Sequence, residues 1–269
     1  MNRTDQIYLG LLNDVQQFGD EVKGRNGVTR SNIFLPKIAF TEFPLVTLRK
    51  TAWKLAVREM EWFLSGDNKC PDELLGWWRD QLSPLGFYYG GYGEQLRRFN
   101  ETFDQIKELQ DALNKHPGSR RLLLTTWNPI DMSMITEWNS NEKTPTTCHT
   151  TIAQFFVRHG ILHMTSYQRS ADMLLGVPHN WVQSWALLVW LAHGAGFGVG
   201  TLQWVFGDAH IYQEETHLAT LQALLNSGPR ESQPLRLQYH GGGGKFLAKD
   251  FTVEGEIPEP VATLRPRIL

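Results

Sequence analysis

A thiol and an imidazole stand side by side at Cys148-His149, between Thr146-Thr147 and Thr150-Thr151. Further along comes Tyr167-Gln168-Arg169-Ser170-Ala171-Asp172, which crowds an amide, a guanidinium, a hydroxyl and a carboxylate into one short run. The first segment offers a soft nucleophile. The second offers an anion clamp with hydrogen-bonding neighbours. Together they suit covalent chemistry on a phosphorylated, hydrogen-bonding substrate. Cys148 still reads two ways. A lone cysteine is commonly a small buried hydrophobe, yet its polar company fits a thiolate activated by a nearby cation, for which Arg169 is the candidate. Arg169 by itself also reads as a solvated strand end. Cys70, just before Pro71, has no such setting and reads as structural.

Other groups stay open in the same manner. Arg120-Arg121 is either a solvated edge before an apolar strand or a phosphate fork. Asn180 is either a helix N-cap or an amide that reads a pyrimidine edge with donor and acceptor side by side. Of Glu59 and Glu61, one faces solvent and the other is a candidate buried general acid/base. His210 and Tyr212 flank an apolar strand.

The elements that must hold these groups follow from periodicity. Helices are expected over residues 5–19, 51–64, 101–114 and 214–225. The apolar stretch 181–197 is broken by Gln183, Ser184, His193 and two glycines, so it reads as a buried core helix and not a membrane span. Strands are expected over 33–40, 122–127 and 201–206, with the last ending at Gly207-Asp208-Ala209-His210. A hairpin turns at Gly160 between 152–158 and 161–166, and a last strand is expected over 246–253. Gly66 ends the second helix. Gly90-Gly91-Tyr92-Gly93 argues against regular structure, and the run Gly241–Gly244 makes a break. Strands scattered between helices favour a single mixed α/β (α+β) domain over 1–269 and not a doubly wound parallel sheet.

With 14 Phe and 10 Trp in 269 residues, a sizeable core is available. A net charge of −2 leaves no broad basic field, so nucleic acid is not an expected partner. Two cysteines build neither a disulfide framework nor, without histidines, a zinc cage, and no metal is expected. Reduced thiols and the absence of an apolar leader in the first residues suggest a cytoplasmic protein.

The motifs, taken in order, resemble the thymidylate synthases and the related pyrimidine hydroxymethylases over nearly the whole chain. They are Phe43-Pro44-Leu45-Val46-Thr47, Glu61-Trp62-Phe63-Leu64-Ser65-Gly66-Asp67-Asn68, Ser119-Arg120-Arg121, Cys148-His149, Gln154-Phe155-Phe156-Val157, Tyr167 to Asp172, Gly176-Val177-Pro178-His179-Asn180 and Gly207-Asp208-Ala209-His210-Ile211-Tyr212. The resemblance implies a large curved mixed sheet flanked by helices, stacked back to back with that of a second subunit. It implies dUMP (alternatively dCMP) as substrate and 5,10-methylenetetrahydrofolate as cosubstrate. Cys148 would add to carbon 6 of the pyrimidine. Arg169 would hold phosphate and activate Cys148, with Arg25, Gln168 and Ser170 beside it and Arg120 and Arg121 reaching in from the other subunit of a homodimer. His210 and Tyr212 would bind the sugar, Glu59 would move protons, and Asn180 would read the base. Trp78, Asp172, Gly176 and His179 would line the folate side. An amide at 180 suits uracil; relatives acting on cytosine typically carry aspartate there.

The chain departs from the synthase pattern at Thr146-Thr147 (for Pro-Pro), at His179 (for Phe or Tyr), at Leu96, at Glu214-Glu215 and in the tail 261–269. Arg58-Glu59-Met60-Glu61-Trp62 reads more like the hydroxymethylases. The departures gather on the folate side and the closing tail, where admission of water decides between methyl and hydroxymethyl. A deoxyuridylate hydroxymethylase of the phage type is therefore the first expectation. A divergent thymidylate synthase is the alternative, and a non-catalytic nucleotide- or RNA-binding relative is the third.

Overall fold

A computed structural model describes residues 2–24, 27–131, 147–229, 231 and 233–264. Arg25, Thr146 and the last five residues of the tail lie outside the described residues.

The first helix, α1 (Arg3–Phe18), starts where Asn2 Oδ1 accepts from the amides of Thr4 and Asp5 at 2.9 and 3.3 Å. It buries Tyr8, Leu11, Leu12 and Val15. Next come strands β1 (Asp20–Gly24), β2 (Gly27–Asn32) and β3 (Ile38–Phe40). Helix α2 (Trp53–Ser65) ends at Gly66, whose φ of 74° is the left-handed conformation that suits glycine. Three shorter helices follow: α3 (Leu75–Trp78), α4 (Tyr92–Arg97) and α5 (Gln105–Lys115). Strands β4 (Leu123–Thr125), β5 (Ile152–Arg158) and β6 (Ile161–Asp172) lead to α6 (Val177–Gly194). Then come β7 (Gly198–Tyr212), α7 (Glu215–Ser227), β8 (Arg236–Tyr239) and β9 (Phe251–Glu254).

One mixed sheet runs in the order β1-β2-β7-β6-β5-β4, with β3 also paired to β7. Only β6 and β7 are parallel, and the crossover between them is α6. That helix is apolar nearly all round because it lies in the core, with Trp181, Leu188 and Ala192 at 0% exposure. The sheet's inner face is equally dry at Leu124, Ala153, Phe155, Met164 and Trp204. Its outer face carries the alternate residues, aligned by register in rows such as Ile152–Tyr167–Val205 and Leu123–Gln154–Thr165–Gln203. This mixed α/β architecture is the one the resemblance implies.

Several expected elements are shifted. The strand expected over 33–40 is confined to 38–40, while the polar segments 20–24 and 27–32 pair as a hairpin on the sheet edge. β1 is exposed throughout and β2 buries only the polar Ser31 and Asn32, so no apolar alternation marks them in the sequence. The strand expected to stop at 206 continues to Tyr212, so Gly207–His210 is strand and not turn. Gly207 fits within it because a Cβ there would come within 2.6 Å of the Arg169 carbonyl. The glycine-rich stretch at 90–93 opens α4 at Tyr92. The last strand starts at Phe251. No helix among the described residues is long and apolar enough to cross a membrane.

Candidate active site

The pairing of β6 with β7 sets Gln168 opposite Phe206, Ser170 opposite Asp208 and Asp172 opposite His210. The two polar motifs therefore meet at the carboxyl ends of the parallel pair β6 and β7. The turn that carries Cys148 is tied to this edge: the amides of Arg169 and Ser170 donate to the Cys148 carbonyl at 2.9 and 3.4 Å. The turn closes through Thr150, a β-branched residue held at φ 49°, a conformation that stores about 1–3 kcal/mol and persists only where its surroundings enforce it. Thr126 Oγ1 donates to the Thr150 carbonyl at 3.2 Å, one of the bonds that enforce it.

Arg169 Nη2 lies 3.9 Å from Cys148 Sγ and the guanidinium stacks over Trp127 at 5.1 Å. The cation thus stands where negative charge on sulfur would need it. Arg169 Nε is buried with no partner among the described residues, a donor left for an anionic ligand. Ser170 is half-buried beside it. Cys148 itself is half-buried, unlike Cys70. From behind, the buried Tyr92 hydroxyl accepts from the amides of Cys148 and His149 at 2.6 and 3.2 Å. The Tyr92 ring stacks against both Phe63 and His149, which also approach each other. Burial depresses the His149 imidazole to about 3, so it is neutral beside the thiol at physiological pH.

Glu59 is the buried glutamate and Glu61 the outward one, which accepts from Arg58 and the Ala248 amide. Glu59 Oε1 accepts from the Trp78 indole and Oε2 from Gln183. Burial pushes its carboxyl up to about 7, against the two hydrogen bonds that pull it down. A carboxyl poised there can both give and take a proton near neutrality. Asn180 Nδ2 donates to Gln183 Oε1 at 3.2 Å, and Asn180 Oδ1 accepts from Gln168 at 3.0 Å. Asn180 is not the N-cap of α6; Gly176 holds that position and Asn180 lies in the first turn.

His210 Nδ1 lies 3.2 Å from Asp208 Oδ1, which also accepts from Ser31 Oγ at 2.7 Å. Burial opposes protonation of His210, but its bond to Asp208 and the charges of Asp172 and Asp208 together outweigh it and hold the ring above the usual histidine range. Tyr212 packs edge-on against this ring.

Around Asp172 the bonds run to backbone. Its Oδ1 accepts from the amides of Leu174 and Leu175, each at 3.0 Å. The Leu175 carbonyl accepts from His179 Nδ1 at 2.8 Å and from the buried Arg49 at 3.2 Å. His179 Nε2 in turn accepts from the Ala52 amide at 3.2 Å. His179 is therefore a neutral ring with both nitrogens used, and burial first, then Arg49, depresses it to about 3. Trp77 packs edge-on against it, while Trp78 turns inward to Glu59. A Cβ on Gly176 would lie 3.3 Å from Asn180 Oδ1 and 3.6 Å from the Asp172 carbonyl. The tail docks alongside: Val261 N donates to Leu48 O at 2.7 Å and Lys50 N to Ala262 O at 2.9 Å.

The structure thus brings Cys148, Arg169, Gln168, Ser170, Asn180, Glu59 and the β7 pair to one edge. It leaves Arg120 and Arg121 exposed on the turn before β4. Tyr92 and Gln183 were not singled out from the sequence. Gln183 carried a signal all the same, since an amide inside a buried helix must find polar partners. Among the described residues no cluster of three or more His, Cys, Asp or Glu is placed to hold a metal ion.

A family model described as thymidylate synthase matches residues 6–265. A thymidylate synthase of Zymomonas mobilis is 30% identical over 299 aligned positions, covering 96% of this chain and 97% of that protein. With a half-buried thiol beside a guanidinium and a buried carboxyl joined to an amide, the chain belongs to the thymidylate synthase family, the folate-dependent transferases that act on carbon 5 of pyrimidine nucleotides.

Proposed function

We propose that this chain uses Cys148 to open carbon 5 of dUMP to a one-carbon unit, releasing 5-hydroxymethyl-dUMP. The observation that carries the reading is the placement of Cys148 Sγ 3.9 Å from Arg169 within the same edge as Asn180 and Glu59. The sulfur pair forms the S–C6 bond, and the C5–C6 π pair moves onto carbon 5 and the O4 carbonyl. Arg169 and Ser170 take the phosphate, with Arg25 completing the site. His210 and Tyr212 face the sugar. The amide of Asn180 meets N3–H and O4 of uracil. Water supplies the hydroxyl oxygen of the hydroxymethyl group, Glu59 serves the loss of the proton that leaves carbon 5, and collapse of the adduct breaks the S–C6 bond, restores the C5–C6 double bond and gives the pair back to sulfur.

The folate side fits methylenetetrahydrofolate on chemistry: half-buried Trp77 and Leu175 offer apolar surface to a flat ring, and the second Asp172 oxygen is not among the backbone-bonded ones. Trp78, Gly176 and His179 shape that wall. Bound there, the cosubstrate supplies the one-carbon unit and, for a methyl product, the hydride. The hydroxymethyl reading rests on the departures at His179, Thr147 and the tail, and on a Glu59 carboxyl near 7 that can activate water. The methyl reading is favoured by one observation: His179 spends both nitrogens on backbone and adds no open polar group to the wall. Incubation with dUMP and methylenetetrahydrofolate separates the two. Hydroxymethyl product without dihydrofolate supports the first, and thymidylate with stoichiometric dihydrofolate overturns it.

A homodimer is part of the same proposal. Support comes from the outer sheet face, where Leu123 and Ile152 are 42% and 46% exposed and Tyr167 and Val205 lie in register with Ile152. Sedimentation of the purified chain tests it, a concentration-independent monomer counting against it.

A further inference from the structure

The hydrogen bonds that join the candidate acid/base to the candidate base reader have only one consistent direction. Trp204 lies at one end, fully buried, and an indole N–H can only donate. It donates to Gln168 Oε1 at 3.2 Å. Gln168 Nε2 donates to the Ser170 carbonyl at 3.1 Å and to Asn180 Oδ1 at 3.0 Å. A donor-only group and an acceptor-only carbonyl therefore fix the Gln168 amide from both sides. Asn180 must then present oxygen to Gln168 and nitrogen to Gln183, as it does at 3.2 Å. Gln183, its Oε1 taken, has only its N–H groups left for Glu59, and it donates one to Oε2. At the other carboxylate oxygen stands Trp78, again a donor-only group.

Glu59 thus sees two donors that cannot become acceptors. A proton placed on Oε2 toward Gln183 would require that amide to rotate. Rotation would set Nε2 of Gln183 against Nδ2 of Asn180, and Asn180 cannot answer because Gln168 is pinned. The proton carried by Glu59 is confined to the lone pairs that face away from Gln183 and Trp78.

We propose that Gln183 is a positioning residue that makes one unit of Glu59 and Asn180, so that the site of the Glu59 proton and the direction in which Asn180 reads the base are fixed together. The inference rests on the functional reading above and deepens it. An Asn180 amide free to rotate can present donor-acceptor for uracil or acceptor-donor for cytosine. A pinned amide presents only one of these. The groups facing Glu59 do not obscure the effect: Trp78 from α3, Gln183 from α6 and the Cys70 thiol, which burial and then Glu59's charge push up to about 12. Gln183 is itself 0% exposed and touches no position assigned to substrate, so its influence passes through its two partners.

The test uses full-length protein carrying Gln183→Met, which keeps length and apolar bulk but loses both hydrogen bonds. Three readouts are taken: the dUMP-over-dCMP ratio of kcat/KM, the pH profile of kcat, and proton exchange on dUMP binding without folate, by calorimetry in two buffers. The expected result is a dUMP preference narrowed about tenfold, the size of one lost neutral hydrogen bond. The limb of the kcat profile assigned to Glu59 should also move to higher pH, because a bond to the carboxylate form is gone. Trp204→Phe, which loosens the pinned end away from Glu59, should move the same limb in the same direction, and it serves if Gln183→Met does not fold. A variant that loses thermal stability while ratio, pH limb and proton exchange all stay at wild-type values overturns the proposal. Wild-type protein that leaves dUMP unchanged overturns the functional reading instead.

Discussion

Two parts of the site are held by different kinds of bond. On the side proposed for the nucleotide, side chain bonds to side chain from Trp204 through Gln168, Asn180 and Gln183 to Glu59. On the side proposed for the folate, side chain bonds to backbone: Asp172 to two amides, His179 to Ala52 and Leu175, and Arg49 to Leu175. A side-chain chain transmits a change at one end, because each amide's direction depends on its neighbour's. Backbone partners cannot reverse, so a change there is felt as stability and shape. Damage to the first part should appear in protonation and base choice, and damage to the second in melting temperature.

The largest break is Cys148→Ala. Turnover of dUMP should fall by about 10⁴-fold or more, the scale of losing a nucleophile. Binding of dUMP should persist in equilibrium dialysis, because Arg169 and Asn180 remain. Next is Glu59→Gln, for which kcat should fall by about 10²- to 10⁴-fold. Its effect on stability has the opposite sign at alkaline pH. Burial raises the carboxyl to about 7 in the fold, so ionising Glu59 costs folding free energy progressively from its unfolded pKa upward. Chemical denaturation at pH 6 and pH 8 should show wild type losing stability between them relative to Glu59→Gln.

What the sequence disclosed follows the same division. Cys148, Arg169, Asn180 and His210 were legible as candidates because reactive types stood at motif positions, α1 and α2 because their apolar faces repeat with a helical period, and α6 because its long apolar stretch reads as a core helix. The hairpin of β1 and β2 was not, since β1 is exposed throughout and the residues β2 buries, Ser31 and Asn32, are polar, so neither strand shows an apolar alternation. The continuation of β7 through Gly207–His210 was hidden by a glycine and an aspartate that usually mark turns, here required by close approach to Arg169 and by the Ser31 and His210 bonds of Asp208. The tie of His179 to Ala52 joins two segments far apart in the chain, and nothing at either position announces it.

That tie gives the third prediction. His179→Phe leaves the Ala52 amide at the start of α2 and the Leu175 carbonyl with fewer partners, costing about 1–3 kcal/mol of stability. The pH limb assigned to Glu59 should stay where it is, in contrast to Gln183→Met. If the limb moves as far as in Gln183→Met, the two regions are coupled and not separate.

The fourth prediction sharpens the comparison by pH alone. Burial holds His179 and His149 each at about 3 in the fold, against about 6.5 in the unfolded chain. Between those values the unfolded state binds more protons, so stability is full above about 6.5 and is lost as pH falls toward 3. Glu59 acts in the opposite sense between its unfolded pKa and about 7. Melting temperatures measured from pH 7 to pH 5 should therefore fall less steeply in His179→Phe than in wild type, and more steeply in Glu59→Gln. Equal slopes in all three proteins would mean that neither His179 nor Glu59 is buried as described.

The smallest effect on the fold is expected at Arg121, exposed before β4 and bonded through its backbone to Ser119 Oγ at 3.1 Å. Arg121→Ala should change stability by less than about 0.5 kcal/mol, as for an ordinary surface substitution. If its guanidinium serves the phosphate of a partner subunit, KM for dUMP should rise while kcat holds. Mixing Arg121→Ala with Cys148→Ala then decides whose site it serves. In a mixed dimer the intact Cys148 belongs to the Arg121→Ala chain and takes its partner arginine from the Cys148→Ala chain, so wild-type KM should return in that fraction. A KM that stays raised in the mixture would place Arg121 on its own subunit's phosphate and remove the shared site from the proposal.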